Sequence, residues 1–266
     1  IYNGDLKKYM ANGDLAAANA YANDAMLSKS YLGYLVYTLP NGEKLIGMDG
    51  KLNPNAKLGY SDGTNYFIPD NWSDELFETN PRQEYNLNVS GASDKMNYYM
   101  SAGYLNDKGI VPESGFKRYT ARLKADYQVK PWLKLSGNMS YTHYDSREQD
   151  TEGNTSNGNA FYAANIVGAI YPMYIRDASG NIMKDNRGFT RYDYGADTNF
   201  KRENVIPNGN PLANYILDKR SYSGDVFSGK WGADIDLWGG IKAKINIGVD
   251  NNNIQYRSVT NPYYGQ

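Results

Sequence analysis

The sequence contains no cysteine and only one histidine, His143. Without cysteine there is no disulfide framework, no thiolate ligand for a metal and no cysteine nucleophile. The single histidine argues against a histidine-based metal site and against a Ser-His-Asp triad. His143 falls in a segment that is explained as an ordinary strand, so we assign it no chemical role.

A long apolar run is also missing from the sequence. No segment reaches the roughly 18 to 20 apolar residues that a transmembrane helix needs. Only helices and closed barrels span lipid, so two classes remain, a soluble protein and a membrane β-barrel. Residues 1–5 show no initiator methionine and no charged or apolar region of a signal peptide. We therefore expect both ends of the sequence to be cuts within a longer chain.

Neither sign of charge is in excess, because 28 basic residues oppose 29 acidic ones and the net charge is -1. This balance excludes nucleic acid as an expected partner. The sequence has no glycine-rich phosphate loop and no nucleophile elbow. Paired carboxylates such as Asp74 and Glu75 lack an accompanying pocket pattern. We predict that the protein is not an enzyme and has no catalytic residue, metal site or cofactor.

Tyrosine is the residue in excess, with 26 Tyr beside 4 Trp and 7 Phe. Such amphipathic rings suit wet surfaces, membrane–water interfaces and sugar-contacting surfaces better than a dry core. The mean hydropathy of -0.69 is low for a chain that must bury a core, yet 41% of the residues are hydrophobic, which argues against disorder. A polar average of this kind is typical of a chain whose strands alternate between apolar and polar residues.

Residues 1–80 are predicted to form a helical and loop-rich connection. A stripe of apolar residues spaced as in a helix runs through residues 6–26, and residues 12–14 (NGD) indicate a break between two helices. Residues 31–80 are rich in Gly, Asn, Asp and Pro and are interpreted as irregular loop. A short helical turn is expected at residues 71–77, with Asn71 or Ser73 as its N-cap.

Residues 81–266 are predicted to hold six antiparallel strands of about ten residues, the length that a tilted transmembrane strand needs. Apolar and polar residues alternate in residues 85–91, 96–104, 119–129, 133–142, 227–237 and 241–250. The third of these segments is the clearest, because Tyr119, Ala121 and Leu123 face one way while Thr120 and Arg122 face the other. Soluble antiparallel sheets also alternate, so the pattern by itself does not decide between the two classes.

The connections between these strands favour the membrane barrel. Tight turns at residues 91–95, 129–131 and 238–240 alternate with longer connections at residues 106–115 and 145–221 and after residue 251. Short turns on one side and long extracellular loops on the other are typical of outer-membrane barrels. We therefore place the loop at about 145–221 and the 1–80 connection on the extracellular side.

The tyrosines of the apolar positions fall near both ends of the strands, with aliphatic or small residues between them. Tyr98 and Tyr127 lie near the short turns, and Tyr104, Tyr119 and Tyr141 lie near the long loops. Two aromatic girdles around an aliphatic band are what a membrane barrel requires. The fold class expected from the residues is therefore all-β, an antiparallel transmembrane barrel segment with an N-terminal helical and loop insertion.

Six strands cannot close such a barrel, since the smallest use eight, so the segment is expected to belong to a larger barrel. The polar positions of the strands would then line a lumen. These charges could conduct a substrate, or they could pair with one another and with a plug, and we favour pairing. The lumen-facing candidates are Arg122, Lys124, Asp126, Lys242 and Lys244.

Residues 72–250 resemble the barrel region of the SusC/RagA-like TonB-dependent transporters. No single motif is decisive, but the order and spacing of the motifs are specific. They are residues 72–79 (WSDELFET), 85–91 (YNLNVSG), 97–105 (NYYMSAGYL), 109–111 (GIV), 116–119 (FKRY), 132–138 (WLKLSGN), 171–174 (YPMY), 177–181 (DASGN) and 210–213 (NPLA).

The resemblance implies a plugged barrel of about 22 strands in the outer membrane of a Gram-negative, Bacteroidota-like cell. It also implies import of oligosaccharides or peptides, with a SusD-like lipoprotein, the TonB-ExbB-ExbD complex and outer-membrane lipid as partners. The plug and the TonB-contacting segment of the family are not among these residues, so energy coupling is expected from the resemblance only.

The loop at 145–221 supplies the candidates for substrate contact, because flat rings beside hydrogen-bonding groups suit a sugar or a peptide. The alternative is a loop that packs its own aromatic residues. Within the loop, residues 177–181 superficially resemble a calcium loop but lack its downstream acid, so a β-turn is predicted. The six substrate-contact candidates are Tyr162, Tyr171, Tyr174, Arg176, Tyr192 and Tyr194.

Three functions fit parts of this pattern. A segment of an outer-membrane transporter is predicted from the alternation, the loop asymmetry and the girdles. A soluble β-rich glycan-binding module is the alternative that the Tyr and Asn content supports. A glycoside hydrolase rests on carboxylates and aromatic residues alone and is the weakest of the three.

Overall fold

The computed structural model describes residues 6–7, 13–27, 36–148, 159–194 and 209–262. These residues divide into two compact units. The first, called here the loop unit, draws on residues 1–76, 150–214 and 261–266. The second, called here the sheet unit, comprises residues 77–149 and 215–260.

The loop unit begins with helix α1, Leu15–Leu27. The Asp14 carboxylate accepts hydrogen bonds from the backbone N–H groups of Ala16 and Ala17, both at 3.0 Å, so Asp14 is the N-cap of α1, within the segment where a helix break was predicted. On the buried side of α1, the Asn23 amide donates to the Ile46 carbonyl at 3.0 Å and accepts from the Ile46 N–H at 2.9 Å. The helix is thereby fixed to the following loop by backbone-directed hydrogen bonds.

Residues 36–76 are less irregular than the sequence suggests. They contain four two-residue strands, β1 (Tyr37–Thr38), β2 (Lys57–Leu58), β3 (Tyr60–Ser61) and β4 (Tyr66–Phe67), which pair as β1 with β2 and β3 with β4. Strands this short show no alternation over several residues, which is why composition alone predicts loop. Helix α2, Trp72–Leu76, follows, and the Asn71 side chain accepts from the Ser73 N–H at 3.2 Å, which confirms the predicted cap.

Two further short helices, α3 (Ala160–Ile166) and α4 (Pro211–Leu217), occur where only a long loop was expected. Each is too short to show a helical repeat, but each has a recognisable start. The Asn159 side chain accepts from the Tyr162 N–H at 3.0 Å, and the Asn210 side chain accepts from the Ala213 N–H at 3.2 Å. An asparagine cap, with proline at the first helical position of α4, was the signal that could have found them.

No helix among the described residues is both long enough and apolar enough to cross a membrane. In helices α1 and α3, Ala18, Ala22, Ala160 and Ala163 are fully buried.

The sheet unit is one six-stranded antiparallel sheet in which every neighbour in space is also the neighbour in sequence. This is the all-β architecture that the alternation predicts. Its strands are β5 (Arg82–Ala92), β6 (Met96–Lys108), β7 (Gly115–Lys130), β8 (Leu133–Arg147), β9 (Lys219–Asp236) and β10 (Lys242–Val259).

The strands are longer than the predicted ten residues, reaching 18 residues in β9 and β10. The prediction that the chain becomes loop after residue 251 is wrong, because β10 continues to Val259. Likewise β9 begins at Lys219 and not at Phe227. In both places the backbone ladder continues beyond the apolar face, into segments where polar residues predominate and the hydrophobic alternation of the preceding strand is not sustained.

Aromatic rings cover glycines on both faces of the sheet. A Cβ placed on Gly224 would collide with the Tyr144 ring on the opposite strand, and one on Gly229 would collide with the Trp231 ring. The rings thus occupy the space that a side chain would take. These glycines are required by close approach of a ring, since neither has a positive φ.

Replacing Gly224 by valine is therefore expected to force Tyr144 out of its place and to destabilise the sheet by about 1 to 3 kcal/mol, the usual cost of overpacking. Gly248→Val is the matched control, because only the Gly229 carbonyl oxygen lies near that position, at 3.8 Å. Thermal unfolding midpoints measure the difference. An equal decrease for both variants would contradict the role of the ring contact.

Candidate functional site

One face of the sheet, called here the apolar face, carries the predicted apolar residues and leaves them exposed. Leu123, Leu135 and Ile245 lie on this face and are 38%, 43% and 53% exposed. In a soluble β-sandwich these side chains would be buried against a second sheet. A continuous exposed face of this kind is normally covered by a partner or by lipid.

A row of aromatic rings crosses the apolar face at the end nearest the long loops. Tyr85, Tyr104, Tyr119 and His143 lie opposite one another on β5 to β8, and these four residues are called here the tyrosine row. Their ring centroids are 6.3, 5.1 and 6.2 Å apart in that order. On β9 the row ends at Asp225, whose carboxylate lies 2.8 Å from Nδ1 of His143 and accepts a hydrogen bond from the Tyr141 hydroxyl.

Aromatic residues also mark the opposite end of the apolar face. Tyr98 and Tyr127 lie near the short turns, and the turns themselves expose Trp132 and Trp238, of which Trp238 is 80% exposed. Apart from Trp231 on β9, the region between the two aromatic ends is aliphatic or small, as the sequence predicts for a membrane-spanning face.

The apolar residues of the apolar face form a band, called here the apolar band. Its two limits are slanted relative to the hydrogen-bonded rows of the sheet. At the long-loop end, the band begins at Tyr85 on β5. On β10 it begins only at Val249, which lies nearer the short turns than Asn253, the residue that shares the row of Tyr85. At the short-turn end, the band stops at Gly91 on β5. On β10 the residue in the row of Gly91 is Ile247, and the band continues beyond it to Ile241. Both limits shift in the same direction along the strands.

The other face of the sheet, called here the polar face, holds the charges that were predicted to line a lumen. Two of the lysines face an aspartate directly across the β9–β10 ladder, Lys242 with Asp236 at 3.1 Å and Lys244 with Asp234 at 3.4 Å. These contacts agree with the interpretation that the charges pair. Whether the polar face lines a lumen stays a prediction.

The remaining three candidates of this face lie on β7. Arg122 donates from Nε to the Asn138 side chain at 3.2 Å. Lys124 lies between Tyr99 and Asn138 in the register, and Asp126 lies opposite Ser136. Neither Lys124 nor Asp126 forms an ion pair with another described residue, so this part of the polar face keeps free charges of both signs.

An aromatic group that the residue pattern does not predict lies at the long-loop end of the polar face. Phe116 stacks on Tyr144 with centroids 6.0 Å apart, and Tyr222 lies 4.8 Å from Tyr256. These rings occupy the strand extensions beyond the apolar band, where alternation is no longer visible. Only the register of the extended strands brings them to one face.

The loop unit brings three of the six substrate-contact candidates together. The Tyr174 and Tyr192 rings lie 5.6 Å apart, and the Arg176 guanidinium lies 5.5 Å from the Tyr174 ring centroid. The Tyr174 hydroxyl donates to the Glu75 carboxylate at 2.8 Å, and Arg176 forms a two-pronged ion pair with Asp70, one arm at 3.1 Å. Burial raises the pKa of the Tyr174 and Tyr192 phenols, so both stay protonated at neutral pH.

These contacts are the ones that a loop packing its own aromatic residues would make, since the Arg176 and Asp70 side chains are 11% and 8% exposed. Of the other three candidates, Tyr162 is exposed on α3, the Tyr171 carbonyl accepts from the Trp72 indole at 3.1 Å, and Tyr194 is partly buried. Contact of any of the six with a substrate stays a prediction.

Residues 177–181 form the predicted β-turn. The Asp177 carboxylate accepts from the N–H groups of Ser179 at 2.9 Å and Asn181 at 3.0 Å, and Gly180 has φ of 92°. The Asn181 side-chain amide, which also donates to this carboxylate, holds the pKa of Asp177 below its usual range. Across the described residues, no group of three or more acidic or histidine side chains is arranged to hold a metal ion.

Removal of the Arg176 side chain is expected to destabilise the loop unit by about 3 to 5 kcal/mol, because Arg176→Ala leaves the buried Asp70 carboxylate without its partner. Lys44→Ala is the matched control in the same unit, since its ion pair with Asp24 is exposed and should contribute less than about 1 kcal/mol. Hydrogen exchange of the amides at residues 173–176 measures the effect. Unchanged protection in Arg176→Ala would show that the ion pair does not support the unit.

Comparison with known proteins gives relatives of one kind, although no protein-family model matches the chain. TonB-dependent receptor P26 of Formosa agariphila is 25% identical over 181 residues, which are 67% of this chain and 16% of that protein. TonB-dependent receptor SusC of Bacteroides thetaiotaomicron is 24% identical over 212 residues, which are 73% of this chain and 20% of that protein. The chain thus spans about a fifth or less of the length of these relatives.

Two solved structures share the fold. The RagAB peptide importer in the open-open state matches with a TM-score of 0.53 and 24% identity over 74% of this chain and 20% of that one. The RagAB peptide transporter matches with a TM-score of 0.52 and 24% identity over 71% of this chain and 20% of that one. Sequence and fold agree that the chain is similar to a part of TonB-dependent receptors of the SusC and RagA type.

Proposed function

We propose that the chain forms part of the wall and of the external loops of an outer-membrane importer that takes up oligosaccharides or peptides. The slanted apolar band carries this proposal. A bilayer has flat limits, so an apolar band can cross the hydrogen-bonded rows at an angle only if the strands are tilted to the membrane normal.

The size of the slant agrees with barrel geometry. From β5 to β10 the limits of the band shift by about five residues, which is about 17 Å along the strands. The five steps between neighbouring strands cover about 24 Å across the sheet. The corresponding tilt is about 35°, within the range of about 35 to 45° for transmembrane barrels. On β10 the band from Ile241 to Val249 is about 26 Å long, or about 22 Å thick after tilting, close to the apolar band of about 25 Å in such barrels.

The soluble glycan-binding module does not account for this geometry. In water, the exposed Leu123, Leu135 and Ile245 would belong to an uncovered apolar face, which soluble monomers avoid. A soluble sheet also has no reason to set its apolar limits at an angle to its register. The membrane assignment explains both features with one cause.

The class of cargo is proposed from chemistry and from the relatives. The two structures of similar fold are named as a peptide importer and a peptide transporter, and one relative is SusC. In this chain, Tyr162 and Phe161 are exposed on α3, and flat rings of this kind suit the faces of a sugar or the side chains of a peptide. The six candidates of the loop unit and the five charges of the polar face are the residues to test for cargo contact.

The partners belong to the same proposal. A SusD-like lipoprotein would act with the external loops, and the TonB-ExbB-ExbD complex would energise uptake through parts of the receptor outside these residues. Outer-membrane lipid would surround the apolar face.

A charge on the apolar face is expected to impair membrane assembly. Val89→Arg places a guanidinium within the band and should cost about 2 to 4 kcal/mol if lipid covers this face. Ser90→Arg is the adjacent control, because it places the same group on the polar face of β5. The amount of heat-modifiable protein in the outer-membrane fraction measures assembly. Equal losses for both variants would contradict a lipid-facing surface.

The gene product that carries this sequence is expected to require detergent for extraction from the outer membrane and to co-purify with a SusD-like lipoprotein. Its deletion should abolish growth on one class of cargo, either a defined oligosaccharide or a defined peptide mixture supplied as the sole source. Recovery in the soluble fraction without detergent would contradict the proposal. Normal growth on every oligosaccharide and peptide supplied would contradict the import role.

A further inference from the structure

A groove lies on the apolar face directly below the tyrosine row. Ala102 and Ala121 face each other across β6 and β7, and their small side chains leave a depression between larger neighbours. The groove has a volume of about 500 Å³ and an almost wholly apolar lining. Its walls include Leu87, Val89, Met100, Leu123, Met139 and Phe227.

A polar cavity lies directly above the tyrosine row. Asn106, Lys117 and Asp145 form the next row of the same face, and Lys108 and Arg147 lie in the row beyond it. These residues line a cavity of about 560 Å³. The groove, the rings of Tyr104 and Tyr119, and the cavity therefore follow one another along β6 and β7.

The charges of the cavity leave two lysines unpaired. Of its four carboxylates, three have a basic nitrogen nearby, and the pairs are Glu113 with Arg147 at 2.9 Å, Asp107 with Arg82 at 3.6 Å and Asp145 with His143 at 3.5 Å. The fourth, Glu78, accepts from the Asn80 amide at 3.2 Å. Lys108 and Lys117 are exposed and form no ion pair with another described residue.

This sequence of surfaces matches one kind of molecule. An acyl chain gains about 0.8 kcal/mol for each buried CH₂, which suits the groove. A sugar can stack on the tyrosine rings and donate hydroxyl hydrogen bonds to the carboxylates of the cavity. A phosphate can bind the two free ammonium groups. A simple anion without hydroxyl donors would meet the carboxylates unfavourably.

We propose that this surface is a binding site for a phosphorylated sugar lipid of the lipid A type. One acyl chain lies in the Ala102–Ala121 groove, the sugar lies against Tyr104 and Tyr119, and a phosphate binds Lys108 and Lys117. The site rests on the proposed membrane position of the sheet, because the lipid must approach the apolar face from the outer leaflet.

The test uses the gene product purified in detergent and its thermal unfolding midpoint. Ligands that bind only the folded state raise this midpoint. Added diphosphoryl lipid A is expected to raise it by several degrees, whereas phosphatidylethanolamine and phosphatidylglycerol should raise it much less. An equal rise with phosphatidylglycerol would overturn the sugar requirement, and an equal rise with phosphatidylethanolamine would overturn the site.

Two pairs of variants locate the site. Lys117→Glu should weaken lipid A binding about tenfold or more, a loss typical of removing one charge-assisted contact, while Lys230→Glu on the polar face should not. Ala121→Leu fills the groove and should reduce the rise, while Ala125→Leu, on the same strand and face but outside the groove, should retain it. Equal behaviour within either pair would overturn the assignment.

Membrane assembly separates this inference from the proposed function. All variants are first examined for detergent-dependent recovery and heat-modifiable migration. A wild-type protein that fails both would contradict the membrane position itself. A wild-type protein that passes both but shows no selective stabilisation by lipid A would contradict only the lipid site.

Discussion

The antiparallel register of β5 to β10 is the constraint on which the other features of the sheet depend. Side chains alternate with a period of two, so a slip of one residue would move every leucine and tyrosine of the apolar face to the polar face. The ladders hold this register over nearly all of their length, with one irregularity between Gln128 and Lys130 beside the Pro131–Trp132 turn. This register also places the members of the tyrosine row, of the Lys–Asp pairs and of the Phe116–Tyr144 aromatic group opposite or beside one another.

The loop unit depends on a different principle, in which single polar side chains connect distant backbone segments. Asp70 binds Arg176 and also accepts from the Met173 N–H at 2.7 Å. Asn210 donates to the Met173 carbonyl at 2.9 Å and to the Asp193 carbonyl at 3.0 Å. Such buried groups must be satisfied to avoid a large desolvation cost, so each one fixes several segments at once. This explains how a region with little regular structure keeps defined positions for its aromatic residues.

The sequence predicts the sheet well and the loop unit poorly, for physical reasons. The strands of the band can be found from residues such as Tyr119, Leu123 and Tyr127, because one face is uniformly apolar and the period is two. The extensions at residues 219–226 and 251–259 cannot, because polar residues predominate there, neither face is uniformly apolar and only backbone pairing defines them. The Asp70–Arg176 contact joins residues far apart in the chain, so no local sequence pattern predicts it. The caps Asp14 and Asn71 were predictable because their hydrogen bonds are local.

The tilt that we propose for the strands has a consequence for residues that are hydrogen-bonded neighbours. Moving from β5 to β10 along one row crosses about 24 Å of sheet, and a tilt of about 35° would raise the position by about 14 Å relative to the bilayer. Tyr85 and Asn253 share a row, yet in the proposed orientation Tyr85 would lie at the membrane interface and Asn253 in bulk water. Position in the ladder and depth in the membrane would then be separate properties of a residue. The tolerance of a position to a charged side chain should follow its depth in the membrane. Two residues in the same hydrogen-bonded row can therefore differ completely in whether a charged substitution is tolerated.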